Sequence, residues 1–180
     1  MRFDQLEHAI RAACDVSGDT ELIIFGPQAI LGTAPDAPAS LRASIEVDIQ
    51  AKTFPERTDL IDGALGEHSL FHSTHGFYVH GVSVESATLP SGWETRTIAV
   101  QHAVCGRGGT GHCIEAHDLA ASKLVANREK DRIFVTTLLV EGVIDKEALM
   151  QRIRILPVSD ASRERMLRWV AITAQGLVSE

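Results

Sequence analysis

No apolar run in the 180 residues approaches the roughly 20 needed to cross a bilayer, so no membrane-spanning helix is expected. The N-terminus, MRFDQLEHAIRAAC, lacks the form of a secretory or transit signal, being amphipathic and carrying acids. Both absences point to a cytoplasmic protein with no membrane partner. Positive charge is also short: 17 Lys and Arg against 24 Asp and Glu leave a net charge of −7. That balance argues against broad electrostatic binding of a nucleic-acid backbone, although Lys123, Arg128, Lys130 and Arg132 form a local basic patch. Cysteine is sparse and odd in number, three residues in a chain with no export signal, so free thiols are expected. No internal repeat, low-complexity segment or Gly-x-Ser-x-Gly elbow occurs. GRGGTG at Gly106–Gly111 lacks the lysine and serine of a Walker loop and is read as a mobile hairpin or lid. His68, His72, His75 and His80, and later Cys105, His112, Cys113 and His117, lack the pair-plus-pair spacing of structural zinc. They are read as surface and core residues.

What is present is an ordinary globular composition, 44% hydrophobic and 23% charged. Phe3 to Cys14 carries apolar residues at helical spacing, ELIIFG is a buried strand ending at Gly26, and Pro27 suits the first turn of a short helix. LRASIEVDIQA follows as a strand with Ile45, Val47 and Ile49 on one face and Ser44, Glu46 and Asp48 on the other. A helix over residues 58–66, a β-rich GFYVHGVSVESA and a strand RTIAVQHAV come next. From about Ala116 onward the pattern is helical. The expected fold class is α/β (α+β): an α/β core with a mixed sheet over residues 1–115, and C-terminal helices over 116–180 packed on it as one compact unit.

Glu46 and Asp48 lie two residues apart on one side of a strand, close enough to share one divalent cation. The alternative is a solvated strand face. Gly26 either lets the backbone approach a triphosphate or is a plain tight turn. In one continuous helix Lys123, Asn127 and Lys130 would share a face that Asp131 joins, with Arg128 beside it. Such a face is either ion-paired and solvated or turned to phosphate. Glu85, alternating with Val82 and Val84, is the candidate third acid or a strand end.

Strand–glycine–helix, then a strand with paired acids, resembles the nucleotidyltransferase fold of the polymerase-β superfamily. Asp118 to Val135, DLAASKLVANREKDRIFV, resembles the helical motif of small bacterial nucleotidyltransferase-like proteins, including those of abortive-infection and toxin–antitoxin systems. The resemblance covers roughly Leu22 to Leu139, and KLVANREKD is its most specific part. It implies a minimal nucleotidyltransferase-like core in which Glu46 and Asp48 hold Mg²⁺ or Mn²⁺ and Glu85 is the third acid. Gly26 and Gln28 would contact the triphosphate, and Lys123, with Arg128, Lys130 and Asp131, the nucleotide. Pro27 stands where the family's serine would be, and Glu46 replaces an aspartate. The implied activity is metal-dependent transfer of a nucleotidyl group from a nucleoside triphosphate to an unknown acceptor, RNA or protein. The alternative is a catalytically inactive binding module, partner in a toxin–antitoxin or phage-defence pair.

Overall fold

The structure is a computed structural model that describes residues 1–102 and 108–178. Two compact units divide the chain: residues 1–86 with 97–114, and residues 87–96 with 115–180.

The first unit is a five-stranded mixed sheet. Its strands are β1 (Glu21–Phe25), β2 (Glu46–Ala51), β3 (Tyr78–Gly81), β4 (Ile98–His102) and β5 (Gly109–Cys113), ordered β3-β2-β1-β5-β4. β1 runs antiparallel to β2 and parallel to β5, while β3 is parallel to β2 and β4 antiparallel to β5. Helix α1 (Phe3–Ser17) buries Leu6, Ala9, Ile10 and Ala13, the stripe its spacing predicts. It stops at Gly18, whose φ of 65° suits a left-handed cap. Asp19 then ties two loops together: Oδ1 accepts from the Glu21 N–H at 2.9 Å, and Oδ2 from those of Thr53 and Phe54 at 2.7 and 3.0 Å.

Two expectations change here. Gly109 to Gly111, the end of GRGGTG, are not part of a lid but the start of β5, which pairs antiparallel with β4 as the expected hairpin and lies parallel to the central β1 on its other side. Its glycines let α1 lie close: a Cβ at Gly109 would meet the Cys14 sulfur at 2.5 Å, and one at Gly111 the Ile10 side chain at 2.6 Å. Cys105, Gly106 and Arg107 lie outside the described residues. Strand β2 begins at Glu46 rather than near Leu41, so Ile45 precedes it and is half exposed, while Val47 and Ile49 are fully buried.

After Gly26 come a 3-10 turn (Pro27–Ala29) and the single turn of α2 (Ile30–Thr33). Helices α3 (Thr58–Leu65) and α4 (Leu70–His75) lie between β2 and β3.

The second unit holds α5 (Ala116–Ala126), α6 (Glu129–Val140), α7 (Lys146–Arg154) and α8 (Asp160–Val178). Asp118 of α5 is fully buried between Arg96, at 2.8 and 3.1 Å, and Arg152, at 3.0 Å. Burial pushes its carboxyl above the usual range, against the pull of both arginines. The expected single helix through KLVANREKD is two: Asn127 adopts φ 53°, ending α5, and Arg128 caps α6.

Candidate functional site

The candidate site stands on one face of β2. Alternation sends Glu46, Asp48 and Gln50 to the side opposite the buried Val47 and Ile49. The parallel neighbour β3 matches them residue for residue, Tyr78 opposite Glu46 and His80 opposite Asp48. On the other flank, Asp48 pairs with Phe25, the residue before Gly26. Non-local pairing thus places two acids, an imidazole, a phenol and a glycine turn together.

Distances within the group are those of direct hydrogen bonding. His80 Nδ1 is 3.0 Å from Asp48 Oδ1 and 3.1 Å from Glu46 Oε1. The Tyr78 hydroxyl donates to Glu46 Oε2 at 3.0 Å. Glu46, Asp48 and His80 each offer a ligand atom, all within 4.8 Å of one another. Gly26 completes the site from β1. Its φ of 65° and ψ of −171° belong to glycine alone, and a Cβ there would overlap Asp48 Oδ2.

Electrostatics follow from this crowding. Burial pushes the Asp48 carboxyl up to about 6; Glu46 adds to the rise and the His80 hydrogen bond opposes it. Burial acts on the His80 imidazole in the opposite sense, but Asp48 and Glu46 outweigh it and raise its pKa. Burial, then Glu46, lifts the Tyr78 hydroxyl to about 12. Two carboxylates beside an imidazole whose pKa they raise form an environment that favours positive charge. Two oxygens and one nitrogen at these separations fit a single divalent cation, Mg²⁺ through the carboxylates, or Mn²⁺ through all three once the imidazole gives up its proton.

The structure therefore brings Gly26, Glu46 and Asp48 together, as the sequence pattern anticipates. Glu85 falls outside the strand expected to carry it: β3 ends at Gly81, and Glu85 is exposed in a 3-10 turn (Val84–Ser86). Gln28 is fully buried, and its amide donates to the Ser44 carbonyl at 3.0 Å, holding the approach to β2.

The basic residues named beside the acids lie in the second unit. Asp131, buried there, accepts from the Arg128 side chain at 2.6 Å and its backbone N–H at 3.3 Å, and its Oδ1 lies 3.7 Å from Lys123 Nζ. These pairs cap α6. Lys130 is exposed, and the break at Asn127 removes the single helical face on which Lys123, Asn127 and Lys130 would align. Sequence reading missed His80. Its signal was the i, i+2 step from Tyr78 in a segment already read as β-rich, which puts both side chains on one face.

The family model described as "Nucleotidyltransferase of unknown function (DUF6036)" matches residues 2–173. No curated protein and no solved structure matches the chain. No helix among the described residues is long and apolar enough to cross a membrane.

Proposed function

The chain belongs to this family of nucleotidyltransferases of unknown function, and from that premise we propose metal-dependent transfer of a nucleotidyl group from a nucleoside triphosphate, centred on Glu46 and Asp48. One observation carries the reading: the two carboxylates share a face of β2 with His80, hard against the Gly26 turn. A bound Mg²⁺ or Mn²⁺ would offset phosphate charge and polarise the reacting oxygens. Asp48 and Glu46 hold the ligand oxygens, and β2 keeps them on a rigid strand. Gly26, with no side chain, leaves room for the Asp48 carboxylate. In the transfer itself, the acceptor hydroxyl oxygen bonds to the α-phosphorus and the bond to pyrophosphate breaks. Pyrophosphate leaves and the hydroxyl proton passes to water.

A second reading has its own support. Pro27 offers neither N–H nor hydroxyl at the turn, and the Gln28 amide already holds Ser44. Those features favour a nucleotide-binding module without transfer, working with a protein partner.

Asp48→Asn separates the two. Burial raises the Asp48 carboxyl, so between pH about 4 and 6 the folded chain holds a proton that the unfolded chain has released. Stability falls as pH rises through that window. The carboxylate is thus the costly form at neutral pH, and the substitution should leave the melting temperature unchanged or higher. Wild type and variant are incubated with labelled nucleoside triphosphates, Mg²⁺ or Mn²⁺, and RNA or protein acceptors. Labelling should fall on the order of a thousandfold in the variant, the several kcal/mol a metal supplies. Equal labelling by both forms would remove Asp48 from the mechanism. No labelling by either, with metal-dependent nucleotide binding retained by the wild type, would favour the binding module.

A further inference from the structure

Glutamate is an awkward first ligand on β2. It has one more torsion than aspartate, and its side chain here is 37% exposed, against 17% for Asp48. Left alone, such a carboxylate samples several rotamers, and ordering it on cation binding costs conformational entropy. Tyr78 removes that freedom. It stands opposite Glu46 in the β2–β3 register, and its hydroxyl donates to Oε2, leaving Oε1 turned to the group shared with His80 and Asp48.

The phenol is itself held from α4. The Tyr78 ring packs against the His72 ring at a centroid distance of 5.0 Å. His72 in turn is fixed at both ends: its backbone N–H donates to the Ser69 hydroxyl, and Nδ1 accepts from the His68 N–H, each at 3.1 Å. A chain of ordered groups thus runs from the start of α4 to one oxygen of Glu46.

Resting on the metal reading above, we infer that Tyr78 is a positioning residue that fixes the Glu46 carboxylate for a divalent cation, making a glutamate serve where a shorter acid would need no support. The two side chains work as a pair. An aspartate at position 46 would withdraw its carboxylate by about 1.5 Å, out of reach of the phenol.

The test is a double-mutant cycle on Mn²⁺ affinity, followed by the paramagnetic-resonance signal of free Mn²⁺, in full-length wild type, Y78F, E46D and E46D/Y78F. Phenylalanine keeps the ring against His72 and removes only the hydroxyl, so melting temperatures should match within each background. Y78F should bind Mn²⁺ about tenfold more weakly than wild type, the usual scale for losing a group that orients a ligand. E46D/Y78F should bind as E46D does. Wild-type affinity in Y78F, or the same loss in both backgrounds, overturns the positioning role while leaving the metal site standing. Absence of saturable Mn²⁺ binding by the wild type overturns the metal reading and this inference with it.

Discussion

A side chain at position 26 would collide with the acid the candidate site depends on. A Cβ there would overlap Asp48 Oδ2, far inside van der Waals range, and the backbone conformation excludes other residues besides. Gly26→Ala is expected to cost stability on the order of 1–3 kcal/mol from backbone strain, readable by urea unfolding. It should also push the Asp48 carboxylate away from Glu46, so Mn²⁺ affinity should fall more than in a variant of equal stability loss elsewhere. If Mn²⁺ affinity is unchanged in the fraction that remains folded, Gly26 is only a turn residue. The same scale explains what was legible. Gly26, Glu46 and Asp48 could be read from sequence because each announces a local constraint: a strand end, then two acids at strand spacing. His80 could not be weighted in that way, because its meaning comes from pairing with β2 at a sequence separation of 32 residues. The burial of Gln28 was equally hidden, because nothing local reveals that its amide satisfies the Ser44 carbonyl.

Elements tell a matching story. The order helix, strand, short helix, strand, helix at the start of the chain followed from periodicity and turn residues, and the mixed sheet was expected from it. Two elements differ in part from the pattern for one reason: the roles of glycine and asparagine depend on neighbours that local sequence does not show. The glycines of β5 read as a mobile hairpin or lid; the hairpin with β4 forms, but these glycines stand in the strand itself, because α1 lies across them. Asn127 interrupts a run whose apolar spacing continues on both sides, and no breaker as strong as proline marks it. The consequence can be tested. Asn127→Gly should preserve or slightly raise stability, since glycine tolerates φ 53°. Asn127→Ala should cost about 1 kcal/mol. If alanine instead stabilises, the segment prefers one continuous helix, and the capping arrangement of Arg128 and Asp131 is not the resting one. Far-UV circular dichroism with thermal melts distinguishes these outcomes.

At the scale of the whole molecule, charge is unevenly shared. The entire net charge of −7 falls within residues 1–86 and 97–114, and the second unit is neutral. The unit with the candidate metal site therefore attracts divalent cations and repels a free triphosphate over distances set by ionic strength. The Debye length shrinks from about 30 Å at 0.01 M salt to about 8 Å at 0.15 M. Raising KCl across that range should weaken Mn²⁺ binding, because the long-range attraction is screened. Metal-free nucleoside triphosphate should respond in the opposite direction and bind more tightly, because the screened term is repulsion. Titration calorimetry for the nucleotide and the free-Mn²⁺ signal for the cation measure the two slopes in one buffer series. Slopes of opposite sign support recognition that begins with the metal, the cation reversing the local field before phosphates approach. If both affinities fall with salt, a cluster of basic side chains dominates the encounter with phosphate, and the acids of β2 are secondary to it.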